Sequence, residues 1–250
     1  MPVLILLPPS ESKWNRPRGG PADPGTWSFP DLAPARAAVA RDLAAVSASP
    51  DAAAALGVSE GLLDEVARNL ALDRLPATPA AQVYTGVLYD ALDLASLDTA
   101  ARRRANRWLV VVSALHGAVR PTDRITAYRL SMGVTLPEVG ALASHWRPAL
   151  DGPLTEAAGR GAVVDCRSAA YAAAWRPGPG VAERWVQVRV PGASHMAKHT
   201  RGLVARHLCV EGVAARSVPA VAEVVARAFD TQLHEPARRG APWVLDVVAP

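Results

Sequence analysis

The sequence predicts a single α/β domain built on a mixed β-sheet that is flanked by helices. Short apolar runs alternate along the chain with longer segments that carry apolar residues at helical spacing, and this alternation is typical of α/β folds. Half of the 250 residues are hydrophobic, and no internal repeat is visible. A chain of this length can bury one large core. We therefore expect residues 1–250 to form one domain.

The strands are predicted from apolar runs that end at turn-forming residues. The first run, residues 3–7, stops at Pro8, and the run 108–115 stops just before Gly117. Uninterrupted apolar runs of this length are typical of buried strands. The remaining predicted strands are 162–166, 185–190 and 243–248.

The helices are predicted from apolar spacing and from capping residues at their starts. Ser59 and Ser96 are the candidate N-caps of two of them. In the first of these two helices the apolar side chains share one face: Leu62, Leu63, Val66 and Leu70. The predicted helices are 34–46, 59–72, 96–107, 168–175, 195–210 and 219–229.

The charge pattern draws attention to two lysines. The net charge of +4 and the pI of about 9.5 permit nucleic-acid binding without requiring it. The basic residues are 25 Arg and only two Lys, Lys13 and Lys198. Only a lysine can readily lose its proton and act as an amine base or nucleophile. Both lysines are therefore candidate catalytic residues.

Several classes of protein are disfavoured by what the sequence lacks. Cys166 and Cys209 stand far apart and indicate neither a disulfide framework nor a zinc site. The opening MPVLILLPP has no basic start, and no apolar stretch approaches the roughly 20 residues that cross a membrane. We expect a cytoplasmic protein without a membrane partner. The Walker, dinucleotide-binding and nucleophile-elbow patterns are absent, so we predict no cofactor.

The loop after the first predicted strand is the first candidate site. It runs over residues 10–30, and a loop this long in a compact domain is often functional. Ser10 and Ser12 offer hydroxyls, and Glu11 is the acid beside them and a candidate general base. Arginines close to Lys13 would lower its pKa and make it a usable amine, or the same lysine would simply bind phosphate.

The loop after the strand 108–115 is the second candidate site. Guanidinium groups at one strand end can contact phosphate or carboxylate in pairs, and a tyrosine beside them can stack on a base. An alternative is that Arg120 and Asp123 only stiffen the turn by pairing with each other. The candidate binding residues here are Arg120, Asp123, Arg124, Tyr128 and Arg129.

The third candidate site is the start of the predicted helix 195–210. There, backbone N–H groups together with His195, Lys198 and Arg201 would form an anion site. Met196 stands where a zinc protease would carry its glutamate, so we predict no metal site.

Tyr84 and Thr85 are further candidate contacts, because they lie at a turn or at the start of a helix. Core aromatic packing is the alternative for Tyr84.

Four segments of the chain carry a shared set of motifs: LLPPSESK (6–13), VYTGVLYDAL (83–92), SALHGAVRPTDRITAYRLSMG (113–133) and MAKHTRGLVARHL (196–208). Together they resemble the YaaA family of peroxide-stress proteins, and the third segment is the most specific. His116 stands where many members of that family carry Tyr.

The resemblance implies a mixed α/β fold with a positively charged cleft that binds duplex and distorted DNA. It also implies a role in limiting iron-dependent oxidative damage. The residues themselves leave two hypotheses open. One is a DNA-binding stress protein; the other is an enzyme acting on a nucleoside, a nucleotide or damaged DNA, with Lys13 or Lys198 as nucleophile or base. The expected partner is thus DNA or a nucleotide-like anionic ligand. Direct iron binding is disfavoured, because suitably spaced ligand clusters are absent from the sequence.

Overall fold

The computed structural model describes residues 3–192, 194–212 and 215–248, apart from the side chains of Ser194 and His195. The strands are β1 (Leu4–Leu7), β2 (Thr78–Pro79), β3 (Leu109–Ser113), β4 (Gly117–Val119), β5 (Arg124–Ile125), β6 (Thr135–Leu136), β7 (Gly140–Ala141), β8 (Val163–Asp165), β9 (Trp185–Arg189), β10 (Asp230–His234) and β11 (Trp243–Val248). The α-helices are α1 (Ala33–Ser47), α2 (Ala52–Ala55), α3 (Leu63–Arg68), α4 (Ala80–Val83), α5 (Val87–Leu92), α6 (Thr99–Trp108), α7 (Leu142–Ala158), α8 (Ala169–Ala172), α9 (Pro179–Ala182), α10 (Ser194–Glu211) and α11 (Val218–Val225). Short 3-10 helices lie at Pro24–Thr26, Pro30–Leu32, Glu60–Leu62, Asn69–Ala71 and Leu94–Ser96.

A mixed sheet of seven strands forms the centre of the domain, in the order β10-β11-β9-β8-β1-β3-β4. The apolar strand β1 is buried along its length and pairs in parallel with β3 on one side and β8 on the other. The outer strands β4 and β10 run antiparallel to their neighbours. The chain continues from β1 to β3 on one side of the sheet and from β8 to β9 on the other. A crevice therefore forms beyond the carboxyl ends of β1 and β8.

Helices α5 and α10 pack against each other unusually closely, beside α6. Gly202 lies at their contact, where an added Cβ would come within 2.2 Å of the Leu88 carbonyl oxygen and 2.9 Å of the Ala91 Cβ. Only glycine fits there without moving backbone. Among the described residues, no helix combines the length and the apolar character needed to cross a membrane.

The sheet confirms the predicted fold class, and each predicted strand differs from the observed one by no more than two residues at either end. The predicted helix 59–72 differs, because it is divided into α3 and two 3-10 turns. Val66 is buried there, whereas Leu63 and Leu70 are exposed. Because 3-10 turns have fewer residues per turn than an α-helix, the four apolar side chains of this segment do not lie on one face as predicted.

Two further features differ from the sequence prediction. Asp98, rather than Ser96, caps the helix α6, since its carboxylate accepts the Ala101 N–H at 2.7 Å. The helix α7 was not predicted at all, because Pro148 and Pro153 stand inside it and proline normally ends a helix. It persists because its apolar face is buried, with Trp146, Leu150 and Leu154 inaccessible to solvent.

Candidate functional site: a polar cleft beyond strand β1

A cleft of about 560 Å³ lies where the chain leaves the carboxyl end of β1. One wall is the loop that follows β1, a second is the start of α5, and a third is the first turns of α10. Residues after β8 complete it. The lining residues are Pro8, Pro9, Ser10, Glu11, Ser12, Thr85, Gly86, Val87, Leu88, Tyr89, Ser168, Tyr171, Ala197, Lys198 and Arg201.

Hydroxyl groups tie the loop after β1 to the turn before α5. The Thr85 N–H donates to the Ser10 Oγ at 3.0 Å, and the Thr85 Oγ1 donates to the Ser12 carbonyl at 3.2 Å. The Tyr89 hydroxyl donates to the Pro8 carbonyl at 2.6 Å. The predicted residues Ser10, Ser12 and Thr85 thus meet at one place, with their positions held by backbone partners.

Lys13 turns its ammonium group inward beneath this loop. Its Nζ donates to the carbonyls of Ser10 at 2.7 Å and Glu11 at 3.3 Å, and it lies 4.3 Å from the centre of the Tyr128 ring. Burial lowers the pKa of Lys13 from 10.5 to about 8; Arg129 also lowers this pKa, whereas Glu11 opposes the shift. The amine is therefore partly neutral at mildly alkaline pH.

A buried hydroxyl network lies under Lys13. The Tyr128 hydroxyl is 2.8 Å from the Ser113 Oγ and 3.3 Å from the Tyr84 hydroxyl. Burial raises the pKa of Tyr84 to about 12 and that of Tyr128 well above its usual value. Both phenols therefore stay protonated at neutral pH and act as hydrogen-bonding groups rather than as bases. Tyr84 and Tyr128 accordingly form the floor beneath the loop.

Arg129 links the loop to helix α3. Its guanidinium lies 3.3 Å from the Glu11 carboxylate and 3.4 Å from the Glu65 carboxylate. Its backbone N–H donates to the Asn69 Oδ1 at 2.9 Å. Glu11 is thus held at the cleft by a cation, and Arg129 is largely committed to two protein carboxylates.

The wall formed by α10 supplies the cations of the cleft. Lys198 is exposed there, and Arg201 lines the cleft while its Nε donates to the Val188 carbonyl at 3.1 Å. The predicted contact His195 belongs to the same helix, but its side chain lies outside the described residues.

Two cleft residues, Ser168 and Tyr171, were not selected from the sequence. Their position in the sequence could have indicated them, because they follow the strand 162–166 and the carboxyl ends of neighbouring parallel strands meet at one edge of the sheet. The Tyr171 hydroxyl is buried, and none of the described groups forms a hydrogen bond of good geometry with it. Burial and the nearby Glu11 raise the pKa of Tyr171.

The structure places Arg120, Asp123 and Arg124 in a turn away from the cleft lining. The Asp123 carboxylate accepts the Arg120 N–H at 2.8 Å and the Ser28 hydroxyl at 2.8 Å. Arg124 donates to the Ala77 carbonyl at 2.6 Å. Arg120 donates to the Arg107 carbonyl and lies over Phe29. Asp123 therefore stiffens the turn through the Arg120 backbone N–H, whereas the Arg120 guanidinium contacts other groups and forms no ion pair with Asp123 among the described contacts.

Comparison with known proteins agrees with the motifs that meet at the cleft. A family described as peroxide stress protein YaaA matches residues 3–230. The chain belongs to the YaaA family. A UPF0246 protein of Streptomyces coelicolor is 49% identical, with 98% of each chain covered. A UPF0246 protein of Corynebacterium glutamicum strain R is 37% identical, over 89% of this chain and 91% of the relative.

The cleft thus combines hydroxyls, an exposed lysine and an arginine along its lining, and the Lys13 amine lies beneath the loop, outside that lining. Cations and hydroxyls of this kind suit phosphate and sugar oxygens. Within the described part of the chain, three or more His, Cys, Asp or Glu side chains nowhere cluster closely enough to hold a metal ion.

Proposed function

We propose that this YaaA-family protein acts in the peroxide-stress response by binding DNA, duplex or distorted, through the cleft. Bound in this way, it would help to limit iron-dependent oxidative damage. The observation that supports the proposal most strongly is the meeting of Lys198 and Arg201 with the loop 10–12 at the carboxyl end of β1.

The composition of the cleft agrees with contacts to a nucleic-acid backbone. Phosphate oxygens accept hydrogen bonds from lysine, arginine and hydroxyl side chains, and all three are present along the lining. Trp14 directly follows Lys13 and its side chain is 46% exposed, while its backbone N–H donates to the Val83 carbonyl at 2.8 Å. An exposed indole beside a cationic groove can stack on a base that is unpaired or displaced.

Fluorescence anisotropy with labelled duplex, bulged and single-stranded DNA tests this proposal. We expect affinity to fall steeply with salt, and Lys198→Ala to reduce the slope of log K against log salt by about 1. Arg41→Ala is a matched control, because Arg41 is an exposed helical cation outside the cleft lining. Absence of binding at low salt, or equal effects of both substitutions, would contradict the proposal.

A second candidate is an enzyme that acts on a nucleoside, a nucleotide or damaged DNA. It is favoured by the lowered pKa of Lys13, about 8, because a partly neutral amine can add to a sugar aldehyde and lose water to form an imine. Lys198 is the alternative amine, and Glu11 is the carboxylate at the cleft that can accept a proton.

Borohydride trapping on DNA that contains an abasic site tests this second candidate. Reduction of the imine would join protein and DNA covalently, and peptide mapping would show which lysine reacted. Lys13→Arg keeps the positive charge but removes the amine, so trapping should disappear while DNA affinity is retained. Full trapping in protein that carries both Lys13→Arg and Lys198→Arg would exclude these two lysines as the reacting amine.

A further inference from the structure

A second cavity lies outside the cleft and is used by neither proposed activity. It has a volume of about 310 Å³, and its walls come from the loop before α1, from one face of α1 and from the turn after β3. Most of its lining is apolar. The lining residues are Ala22, Pro24, Trp27, Ala33, Arg36, Ala37, Ala40, Leu72, Asp73, Leu115, His116 and Thr126.

Arg36 brings a buried positive charge to this second cavity. It is 5% exposed and donates to three carbonyls: Nε to His116 at 2.9 Å, and Nη2 to Ser28 at 2.8 Å and Ala118 at 2.7 Å. Its Nη1 is shielded from water and has no hydrogen-bond partner among the described residues. Carbonyl dipoles satisfy the donors at Nε and Nη2, but they do not neutralise the charge of the guanidinium.

Arg167 is another buried arginine of this protein, and its charge is neutralised by a carboxylate. Arg167 is 4% exposed, and its Nε and Nη2 donate to the two oxygens of Asp165 at 2.8 and 2.7 Å. Buried charges are normally paired in this way. In the described structure Arg36 has no carboxylate within ion-pair distance, although Asp123 is close enough to act on its pKa.

His116 gives the second cavity another unused polar atom. It is 5% exposed, and its Nε2 is shielded from water with no partner among the described groups. Burial, together with the charges of Arg36 and Lys13, lowers the pKa of His116 to about 3. The ring is therefore neutral at physiological pH and can donate from Nε2 in one of its tautomers without adding charge.

From this geometry we propose that the second cavity binds a small, largely apolar carboxylate, whose anionic group takes the unpartnered nitrogens of Arg36 and His116. A single guanidinium beside a neutral imidazole matches a single negative charge. The Asp73 side chain, also in the lining, is 83% exposed and lies 3.6 Å from the Arg74 Nε, so it adds little charge inside the cavity. Both nitrogens are shielded in this structure, so the proposal requires the cavity wall to move on binding, and Trp27, which packs against both Arg36 and His116, is the side chain that must yield.

Binding of phenylacetate and of its uncharged analogue phenylacetamide, followed by calorimetry and ligand-observed NMR, tests this proposal. We expect phenylacetate to bind with a dissociation constant on the order of 1 mM or tighter, and the amide to bind at least about tenfold more weakly. Equal binding of the acid and the amide would overturn the proposal, as would absence of phenylacetate binding at several times that concentration.

Two substitutions test whether the ligand binds at the proposed position. Arg36→Met removes the charge and should abolish the preference for the acid over the amide. Because Arg36 also holds three carbonyls, Ala37→Leu provides a variant that leaves them untouched: Ala37 is an exposed residue of α1 at the cavity, and leucine there would fill the cavity. Ala45→Leu, an exposed position of α1 outside the lining, is the matched control.

We expect Ala37→Leu to eliminate phenylacetate binding, Ala45→Leu to preserve it, and both variants to bind DNA as the wild type does. Unchanged phenylacetate binding in folded Ala37→Leu protein would overturn the assignment to this cavity. Since DNA and phenylacetate are measured separately, failure of this proposal leaves the DNA proposal standing, and the converse also holds.

Discussion

The cleft and the second cavity each contain a cation near apolar side chains, but the cation of the cleft is exposed to water and that of the second cavity is buried. Lys198 is exposed on the cleft wall, whereas Arg36 is 5% exposed behind Trp27 and the alanines of α1. An exposed charge is screened by salt, whereas a buried charge is screened much less. Exposure therefore separates a surface suited to a polyanion from a pocket suited to one small anion.

The two regions meet at one buried ring. Lys13 of the cleft loop lies 4.3 Å above the Tyr128 ring, and the His116 ring of the second cavity stands edge-on to Tyr128 at 5.2 Å. The charge of Lys13 contributes to the lowered pKa of His116. The two sites are thus chemically different and are connected through the Tyr128 ring, here called the shared wall, although Tyr128 belongs to neither lining.

The largest effect that separates the two regions is expected from Gly202→Ala. The added Cβ would meet the Leu88 carbonyl oxygen at 2.2 Å, so α10 must move away from α5, and both helices line the cleft. We expect the free energy of unfolding in urea to fall by about 1–3 kcal/mol and DNA affinity to fall, while phenylacetate binding is retained.

Gly180→Ala is the control for this substitution, because an added Cβ at Gly180 has no atom within 4 Å and alanine is favourable within a helix. If Gly202→Ala left stability unchanged, the close contact between α5 and α10 would be refuted. If it weakened phenylacetate binding as much as DNA binding, the two regions would not be separable.

A smaller effect is expected from Tyr128→Phe, which acts on the shared wall. The ring remains between Lys13 and His116, but the hydrogen bonds of the hydroxyl to Ser113 and Tyr84 are lost. Leaving the buried Tyr84 hydroxyl without this partner should cost about 1–2 kcal/mol of unfolding free energy.

Tyr171→Phe is the matched comparison, measured by the same urea titration. The Tyr171 hydroxyl is buried and forms no hydrogen bond of good geometry with the described residues, so its removal should cost less than removal of the Tyr128 hydroxyl. Equal destabilisation by the two substitutions would mean that the hydrogen bonds of the Tyr128 hydroxyl add no more stability than the Tyr171 hydroxyl does.

Much of the sheet could be predicted from the sequence, because its strands are short apolar runs bounded by turn residues. The strand 243–248 has the bounds predicted for it, and β1 and β9 differ from theirs by one residue. Helix α7 could not be predicted, since its two prolines oppose a helix locally. Only burial of its apolar face in the assembled domain outweighs that local preference.

The candidate site was predictable where motifs follow strand ends. Ser10, Thr85, Lys198 and Arg201 come from three separate motifs and line one cleft. Ser10 follows β1 and helix α10 follows β9, so these residues meet at one edge of the sheet; Thr85 follows a helix, and no strand end predicted its place. The direction of a side chain was not predictable, as Lys13 shows by turning beneath its own loop. The second cavity was also beyond prediction, because its walls come from segments far apart in sequence.

The titration of Lys13 provides a finer comparison, since the protein has only two lysines. In protein labelled with [13Cε]lysine, the side-chain signals of Lys13 and Lys198 can be followed separately by NMR. Burial lowers the pKa of Lys13 to about 8, so one signal should titrate near pH 8. Assignment comes from Lys198→Arg, which should remove the other signal and leave this one in place.

The same pKa has a consequence for stability. Between about pH 8 and the ordinary lysine pKa of 10.5, the unfolded chain binds more protons at Lys13 than the folded chain does. This group therefore makes stability rise with pH across that window, and its penalty is fully present below about pH 8. The difference in unfolding free energy between wild type and Lys13→Met should change across this window; a constant difference would exclude the lowered pKa.

The smallest expected effect is a change in the pKa of Lys13 when a ligand binds in the second cavity. If phenylacetate binds beside Arg36, its negative charge lies across Tyr128 and His116 from Lys13. It should therefore favour the charged amine and raise the pKa of Lys13 by roughly a few tenths, since distance and effective dielectric weaken the interaction. Phenylacetamide, which carries no charge, should leave the NMR titration of Lys13 unchanged. A shift of equal size with both compounds would indicate a rearrangement of the shared wall, whereas a shift with phenylacetate alone would show that charge in the second cavity tunes the amine beneath the cleft.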